Sequence, residues 1–506
     1  MSFGKKIYFS LVLFYNESTK KGDQKMLIER KKEKEILNNA FAKEGNQFIA
    51  IYGRRRIGKT FLVKEMFKEH FAFQHSGVPP KEDKKLDYKE QLDVQLKAFA
   101  NSMSFYFPDV YDVPKDWFGA FRMLYSCIAK LGHKRKVIFL DELAWMDTPK
   151  CDFLDAFAQF YNQWLSLRND IVLIVCASAT SWILNNVIHS SGGLYNRVTC
   201  TINLKPFTLK ECREYAIYRK LNLNKDQILK YYMVFGGVAY YWDLIMPNLG
   251  FEQNIDELFF KANAPLKGEF NYLYRSMFKN YQGYIQIVEA LSKKKMGLTR
   301  DEIATKTKLS KNGYFSMRLD DLESCGFIRQ YHPFGKKENS SIYQLTDNFT
   351  LFYYEFLKEP PTDENYFVNL MDSPKKRNWE GRAFEQVCLE NVNAIKMALG
   401  ISGVSTDISS FRCQADEEKG IKGHQIDLVI ARRDQIIHLC EMKYSLTPYV
   451  IDKKTYEDYL YRIPDFITVT NTKYSVLPLI VTPKGLAVNS YSNYFVNVID
   501  EDDLFL

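Results

Sequence analysis

The sequence predicts a multidomain α/β protein whose first domain is built on a parallel sheet. Three segments of this region, FIAIY, VIFL and IVLIV, are continuously apolar. Continuous apolar runs are typical of strands buried on both faces of a parallel sheet, whereas half-exposed strands alternate apolar and polar residues. At 506 residues the chain is too long for one hydrophobic core, which indicates three or four domains.

Composition indicates a soluble protein of a reducing cytoplasm. Apolar residues make up 46% of the chain and aromatic residues 15%, and no apolar run approaches the roughly eighteen residues that a membrane span needs. The nine cysteines contain no C-x-x-C pair, so neither a disulfide framework nor a zinc ribbon is indicated. The early segment KKIYFSLVLFY lacks a small-residue cleavage site. We therefore interpret residues 1–25 as an N-terminal extension rather than a signal peptide.

The first apolar strand runs directly into a basic loop. GRRRIGKT, residues 53–60, matches G-x-x-x-x-G-K-[ST], with strand QFIAIY before it and helix KTFLVKEMFKEHF after it. The glycines let successive main-chain amides point at phosphate oxygens, and the helix N-terminus adds its positive dipole end. Lys59 can reach the β- and γ-phosphates, and the Thr60 hydroxyl can bind Mg²⁺. The alternative is a basic turn before a surface helix.

ATP with Mg²⁺ is therefore the predicted ligand of this loop. The residues that we expect to contact it here are Gly53, Arg56, Ile57, Gly58, Lys59, Thr60 and Phe61. The arginines at positions 54 to 56 could approach the nucleotide, a neighbouring subunit or solvent.

A second buried strand supplies acidic residues for the metal. In KVIFLDELAWMD the apolar run ends at Asp141 and Glu142. Asp141 is expected to hold Mg²⁺ through water, and Glu142 to orient or deprotonate the attacking water. A strand followed by acidic residues is often only a helix cap. Together with the loop upstream, it predicts a hydrolytic nucleotide site.

The third strand, in DIVLIVCASATSW, ends in small hydroxylated residues. Ser178 or Thr180 could sense the γ-phosphate from this strand end, although capping alone also explains such residues. Arg197 follows a flexible Gly192-Gly193 segment. It could be an arginine finger that acts on a partner subunit, which would make the protein a homo-oligomer, or it could form a surface salt bridge.

Six segments together resemble one ATPase family: IYGRRRIGKT, VIFLDELAWMD, SATSWI, LYNRV, LKPFTLKE and FGGVAYYW. They look like the AAA+-type ATPases first grouped as archaeal ATPases, also widespread in bacteria and related to the signalling STAND NTPases. The resemblance implies a P-loop NTPase core over residues 26–208 and a helical lid over residues 209–268. Family members usually have Gly-Gly-x-Pro in the lid, whereas Gly236-Gly237-Val238 is followed here by Ala239.

Residues 269–350 predict helices followed by a two-stranded hairpin. Thr299 is a good N-cap, and Phe315, Leu319 and Leu322 form an apolar stripe on a helix near residues 311–324. The order of elements resembles a winged helix, a module that this ATPase family often carries after its lid.

Charge favours a nucleic acid partner for this region, DNA above all. Between positions 270 and 340 thirteen Lys and Arg residues stand against seven Asp and Glu residues, a surplus of six in a chain of net charge +8. In a DNA-binding winged helix, Lys311, Asn312 and Arg318 would face the major groove, while Lys336 and Lys337 would contact phosphates. An interdomain or dimerisation role is the alternative.

A helix and a proline-bearing linker, residues 351–374, precede the C-terminal chemistry. Strand QIDLVIA, turn RRDQ and strand IIHLCEMKYS predict a hairpin. Because side chains alternate, Glu441 and Lys443 share one face of their strand, while Asp427 begins the partner strand. Two converging carboxylates bind a hard cation, and the adjacent ammonium can position the attacking water. Glu385, on the preceding helix, could complete the metal site.

These features resemble the PD-(D/E)-x-K restriction-endonuclease-like fold over about residues 375–506. The resemblance implies nuclease roles for Glu385, Asp427, Glu441 and Lys443, although Ile426 replaces the proline before the aspartate. The alternative is an inactive fold in which Glu441 and Lys443 form a salt bridge. Farther along, Lys453 and Tyr456 could contact a phosphate, but a solvated helix face explains them equally well.

The sequence thus predicts an ATPase that binds DNA through a winged helix and carries a Mg²⁺-dependent nuclease domain. The alternative is an ATP-controlled signalling or regulatory switch that binds protein partners and cuts nothing.

Overall fold

The computed structural model of the protein describes residues 30–79, 86–132, 134–335 and 341–506. The predicted N-terminal extension and two predicted phosphate contacts, Lys336 and Lys337, lie outside these residues. Within the described ranges, no helix combines the length and the apolar character needed to cross a membrane. All nine cysteines are free thiols.

The first region is a five-stranded parallel sheet with order β2-β3-β4-β1-β5. Its elements in chain order are α1 (Lys31–Ala42), β1 (Gln47–Tyr52), α2 (Lys59–Phe67), β2 (Phe71–Ser76), α3 (Tyr88–Tyr106), α4 (Trp117–Ile128), β3 (Lys136–Asp141), α5 (Leu143–Met146), α6 (Phe153–Gln163), β4 (Ile171–Ala177), α7 (Thr180–Ile183) and β5 (Cys200–Asn203). The predicted apolar strands are confirmed as β1, β3 and β4. Because the strands are parallel, their carboxyl ends meet at one edge of the sheet.

Strand β2 was not predicted from the sequence. The helix after the basic loop ends at Phe67 rather than continuing through the predicted KTFLVKEMFKEHF, and the chain enters β2 at Phe71. Tertiary pairing decides this boundary, because residues 71–76 form a parallel ladder with β3.

Helices follow β5, as the resemblance implied. They are α8 (Leu209–Tyr218), α9 (Lys225–Phe235), α10 (Ala239–Asp243), α11 (Phe251–Ile255) with a π-helical continuation (Asp256–Phe260), and α12 (Glu269–Met277). Capping boxes at Thr208 and Asn224 fix the starts of α8 and α9, since each side chain accepts a hydrogen bond from the main chain three residues later.

The described part of residues 282–345, hereafter the middle module, contains three helices and a three-stranded antiparallel sheet with order β6-β8-β7. The elements are α13 (Gln282–Ser292), β6 (Leu298–Thr299), α14 (Arg300–Thr307), α15 (Gly313–Ser324), β7 (Ile328–Tyr331) and β8 (Ile342–Leu345). The predicted N-cap is confirmed, because Thr299 forms a capping box with Glu302. The predicted apolar stripe on α15 is buried.

Residues 374–506, hereafter the C-terminal module, form a mixed sheet with order β13-β12-β11-β10-β9. A short helix α16 (Asn348–Phe352), its π-helical continuation (Tyr353–Leu357) and α17 (Tyr366–Asn369) precede it. Its own elements are α18 (Pro374–Glu390), α19 (Val392–Ala398), β9 (Thr406–Arg412), β10 (Gln425–Arg432), β11 (Ile436–Met442), α20 (Lys453–Thr470), β12 (Ser475–Val481), β13 (Asn497–Ile499) and α21 (Glu501–Leu504). The predicted hairpin is confirmed as the antiparallel pair of β10 and β11.

The modules share apolar packing. One continuous cluster of buried side chains extends from the five-stranded parallel sheet through helices α8 to α12 and the middle module to α18 and strands β10 to β13. Contacts between distant segments are therefore part of each candidate site.

Candidate nucleotide site and carboxylate pair

The basic loop between β1 and α2 has the backbone that its glycines permit. Gly53 and Gly58 both have positive φ, 139° and 95°, which other residues adopt rarely. A Cβ atom on Gly53 would lie 2.2 Å from the carbonyl oxygen of Leu204, so the loop approaches β5 closely at this point. A Cβ atom on Gly58 would meet nothing within 4 Å. The loop is thus tightly packed at its start and open at the helix N-terminus, where a phosphate would bind.

Lys59 is held inside this loop. It is 5% exposed, and its ammonium donates hydrogen bonds to the carbonyl oxygens of Gly53 and Arg54, at 2.8 and 2.9 Å, and to Ser178 Oγ at 3.0 Å. Burial lowers the pKa of this ammonium, and Glu142 and Asp141 oppose the shift. The ammonium therefore lies at the edge of the sheet where the phosphates of a nucleotide would collect.

Thr60 and Asp141 meet across the sheet edge, as predicted for magnesium ligands. Thr60 Oγ1 donates a 2.7 Å hydrogen bond to Asp141 Oδ2. Burial raises the pKa of Asp141 to about 6, and the negative charge of Glu142 adds to this shift. The hydrogen bond from Thr60 and the positive charge of Lys59 oppose it. A hydroxyl and a carboxylate side by side are oxygen donors of the kind that Mg²⁺ binds while keeping several waters.

Glu142 is fixed by its neighbour on the next strand. Ser178 donates to its carboxylate twice, from the main-chain amide at 3.1 Å and from Oγ at 2.5 Å. Glu142 has φ 47° and ψ 49°, a left-handed conformation that a glutamate rarely adopts. Ser178, rather than Thr180 at the start of α7, therefore connects the ammonium of Lys59 with this carboxylate.

The loop arginines bind other parts of the same chain. Arg54 forms a buried ion pair with Asp347. Burial lowers the pKa of Arg54, but Asp347 and the nearby hydroxyl groups of Tyr241 and Tyr274 together more than compensate, so that the net shift is upward. Arg56 pairs with Glu269 at the start of α12, and Arg55 lies over the rings of Trp145 and Tyr272 at 5.3 and 5.1 Å.

The remaining predicted residues of this site lie at its periphery. Ile57 is buried in the core, whereas the Phe61 side chain is 39% exposed on α2. Arg197 is exposed in the turn before β5, and its carbonyl oxygen accepts a hydrogen bond from Tyr161. An exposed guanidinium is compatible both with an action on another subunit and with a surface role.

The predicted DNA-reading residues of α15 have partners within the middle module. Lys311 forms a 2.6 Å ion pair with Asp301. Asn312 caps α15 by accepting from the amide of Phe315. The guanidinium of Arg318 lies over the ring of Tyr284, 5.8 Å from its centre. Lys311 remains 49% exposed.

In the C-terminal module the structure brings together two of the three predicted metal ligands. Glu385 on α18 and Asp427 on β10 share the ammonium of Lys295, which lies 2.5 Å from Glu385 Oε2 and 3.2 Å from Asp427 Oδ2. Burial and the charge of Asp427 raise the pKa of Glu385 to about 7, and Lys295 opposes this shift. We refer to Glu385 and Asp427 as the carboxylate pair.

Glu441 contacts other groups, on the opposite face of the sheet. It pairs with Arg462 on α20 and with Lys443, at 2.6 Å. The reason is strand alternation: Cys440 and Met442 are buried in the core that includes α18, so Glu441 between them faces α20.

Regular strand alternation would also turn Asp427 toward α20, but β10 is irregular at this point. The register of β10 against β9 shifts between Ile426 and Val429, which turns Asp427 toward α18. Within the described residues, no three His, Cys, Asp or Glu side chains are grouped closely enough to hold a metal ion. The two predicted phosphate contacts on α20 lie apart from the pair: Lys453 is exposed near Glu457, and Tyr456 packs on Tyr491.

Comparison with known proteins agrees with the loop geometry. Residues 27–243 match the family model described as an ATPase domain predominantly from Archaea. Residues 27–243 are therefore similar to an archaeal-type ATPase domain. This match covers the five-stranded parallel sheet, the loop at residues 53–60 and the acidic end of β3, which together form an α/β fold consistent with a P-loop NTPase.

Other similarities cover more of the chain than the family match does. The uncharacterized protein MJECL04 of Methanocaldococcus jannaschii is 24% identical over 340 residues, which is 66% of this chain and 69% of that protein. The Walker-type ATPase paby2304 of Pyrococcus abyssi has 16% identity and a TM-score of 0.44 and covers 65% of this chain and 96% of its own. The ORC2 protein of Aeropyrum pernix has 14% identity and a TM-score of 0.38, with coverage of 70% and 96%. Similarities this low assign no residue a role.

Four residues of these sites were missed from the sequence: Asp347, Glu269, Lys295 and Arg462. Each forms an ion pair with a predicted site residue or with an arginine of the basic loop. Three of the four bind residues more than a hundred positions away, and no local motif indicates such a contact.

Proposed function

We propose that the protein binds and hydrolyses ATP with Mg²⁺ at the basic loop of its ATPase domain and uses this site to control a DNA-binding module. One observation carries the nucleotide site of this proposal, and the control of the DNA-binding module is motivated by the presence of both in one chain. The hydrogen bonds of Lys59 with Ser178, Ser178 with Glu142, and Thr60 with Asp141 connect the three strand ends at which a hydrolytic nucleotide site is expected.

Each residue has a distinct task in this proposal. Lys59 and the amides at the start of α2 bind the phosphates, which carry the negative charge of the nucleotide. Thr60 and Asp141 would hold Mg²⁺, which when bound neutralises charge on the phosphate oxygens. Glu142 orients the attacking water and accepts its proton, and Ser178 keeps the carboxylate in place.

The direct test is ATP turnover by Glu142→Gln. The amide keeps the shape of the side chain but cannot accept a proton as a carboxylate does, so we expect turnover to fall by about 10²- to 10⁴-fold while ATP still binds. Equal turnover in the variant and the wild type would refute this site.

DNA binding is proposed for the middle module, which has the element order predicted for a winged helix. The basic surplus of the sequence supports it, and the exposed side chain of Lys311 at the start of α15 supplies a contact. In anisotropy titrations with duplex DNA, Lys311→Ala should weaken binding and reduce the slope of log K against log salt by about one. The exposed Lys130 of the ATPase domain supplies the control variant, and equal effects of both would contradict the assignment.

A second proposed activity is metal-dependent phosphodiester cleavage by the C-terminal module. The observation that favours it is the sharing of one cation by Glu385 and Asp427. Asp427→Ala should abolish cleavage of DNA or RNA in the presence of Mg²⁺ or Mn²⁺ and leave ATP turnover unchanged. If no nucleic acid is cut, with or without ATP, the regulatory-switch alternative replaces it.

Oligomerisation is proposed only through Arg197. If its guanidinium acts on the nucleotide of a partner subunit, ATP turnover per chain should rise with protein concentration and Arg197→Ala should remove that rise. A turnover per chain that is independent of concentration would remove the proposal.

A further inference from the structure

The carboxylate pair already binds a cation, and that cation belongs to another module of the chain. Lys295 lies in the turn between α13 and β6 of the middle module, 132 positions before Asp427. Its ammonium bridges one oxygen of each carboxylate. Two carboxylates this close repel each other when both are ionised, so the bridging ammonium stabilises the arrangement.

We propose that Lys295 occupies the position of a divalent cation between Glu385 and Asp427, so that the docked middle module holds the predicted metal site closed. This inference rests on the proposed metal-dependent activity of the C-terminal module. The position of the Lys295 ammonium shows that a cation fits between the two carboxylates. Two carboxylate ligands with the remaining positions filled by water are a common way of binding Mg²⁺.

Lys295 is held in place by the hairpin of its own module. Its carbonyl oxygen accepts a 2.7 Å hydrogen bond from Gln344 on β8, and the carbonyl oxygen of Met296 accepts one, also 2.7 Å, from Tyr331 on β7. The turn that carries the lysine therefore moves with strands β7 and β8.

The same hairpin is docked on the C-terminal module. The amide of Phe334, just after β7, donates a 2.7 Å hydrogen bond to the carbonyl oxygen of Ser410 on β9. The ring of Phe334 packs on Phe466 of α20, with ring centres 5.1 Å apart. Any displacement of the hairpin from β9, for example by nucleic acid bound to the middle module, would withdraw Lys295 from the carboxylates.

The surroundings leave room for that withdrawal. A cavity of about 350 Å³ borders the pair and is lined by Lys293, Lys294, Leu351, Trp379 and Arg382 in addition to the three charged residues. The Lys295 side chain is 41% exposed, so its replacement should not cost the chain its fold. Charged side chains line the part of the cavity next to the pair, so water can enter there and hydrate an ion bound to Asp427.

The test is a titration of Mn²⁺ into the nucleotide-free full-length protein. The electron paramagnetic resonance signal of free Mn²⁺ measures how much of the ion is bound. Lys295→Ala should bind one Mn²⁺ per chain at least about tenfold more tightly than the wild type, because no ammonium competes for the carboxylates. Lys295→Arg, which keeps the cation, should behave as the wild type. Lys97→Ala, which removes an exposed lysine of α3 paired with Asp93 and distant from the cavity, should also leave Mn²⁺ binding unchanged.

The double variant Lys295→Ala/Asp427→Asn locates the gained ion. It should lose the extra Mn²⁺, and persistence of that ion, or identical binding by Lys295→Ala and the wild type, would overturn the proposal. Cleavage assays on the same samples separate the two proposals. If Lys295→Ala gains the ion but cuts no nucleic acid, phosphodiester cleavage fails while the role of Lys295 stands.

Discussion

The basic loop and the carboxylate pair both depend on a lysine ammonium, but the two lysines come from different distances. Lys59 bonds carbonyl oxygens six and five positions before it, within one loop. Lys295 lies 132 positions from Asp427 and belongs to a different module. The loop that holds Lys59 is therefore a contiguous motif, whereas Lys295 reaches its carboxylates only while two modules are docked.

This difference has a functional consequence. A lysine from the same loop remains beside the predicted phosphate position in every state in which its own domain is folded. A lysine from another module leaves when that module moves, so the second site can be switched without local unfolding. According to our proposal, the nucleotide site keeps its lysine at all times, whereas the C-terminal site can bind a metal ion only when the middle module moves away.

The largest expected effect concerns Arg54, a buried loop arginine whose partner is distant and also buried, and Asp347→Asn tests how much that contact adds to the local structure of the loop. The amide retains the capping of α16 but leaves the buried Arg54 guanidinium without its counter-charge. We expect unfolding of the full chain to become easier by about 3–5 kcal/mol, the cost typical of breaking a buried ion pair. Urea denaturation measures it.

The matched control for this loss is Asp301→Asn, which removes a surface ion pair with Lys311. Exposed pairs contribute little, so its denaturation curve should coincide with that of the wild type. Coinciding curves for both variants would mean that Asp347 does not hold the loop.

The pH dependence of the ATPase core supplies a smaller effect. Burial lowers the pKa of His75, on β2, to about 4 from an ordinary value of 6.5. Between these pH values the unfolded chain binds a proton that the folded chain does not, so stability falls as the pH falls. The expected loss from this one group between pH 7 and pH 5 is about 2 kcal/mol.

Replacing His75 by Phe removes that titration. The unfolding free energy of the variant should decline less on acidification than that of the wild type, as measured by denaturation at both pH values. Parallel declines would show that the imidazole is protonated in the folded core. Because His75 lies in the sheet that carries the basic loop, this measurement reports on the stability of that region and not on the docking of the middle module.

The smallest expected effect concerns the docking of the hairpin. Phe334→Ala should weaken the contact with Phe466 and raise Mn²⁺ affinity in the same direction as Lys295→Ala, but only about two- to threefold, since part of a half-exposed aromatic contact is worth roughly 0.5 kcal/mol. The same Mn²⁺ titration measures it. A decrease in affinity would contradict the link between docking and closure.

The sequence predicted the parts of the fold that depend on neighbouring residues. The buried strands β1, β3 and β4, the cap at Thr299 and the hairpin of β10 and β11 all follow from local patterns, and the structure contains them. The closeness of Thr60 and Asp141 agrees with their prediction as ligands of one Mg²⁺. Whether these residues bind Mg²⁺ and ATP stays a prediction.

What the sequence did not predict depends on packing between distant segments. Strand β2 forms because it pairs with β3. Asp427 and Glu441 face opposite sides of the sheet because an irregularity in β10 turns Asp427 toward α18. Nothing near Lys295 in the chain distinguishes it from Lys293 or Lys294. Only the docked position of its module brings it to Glu385 and Asp427.

The most direct measurement is calorimetric titration of ATP with Mg²⁺ into the wild type, Lys59→Ala and Lys64→Ala. Lys64 is exposed on the same helix as Lys59, so its removal changes the charge without touching the loop. We expect the wild type and Lys64→Ala to bind one ATP per chain with equal affinity, and Lys59→Ala to bind about 100-fold more weakly, as loss of a charged phosphate contact requires. Equal affinity in all three proteins would contradict nucleotide binding at the basic loop.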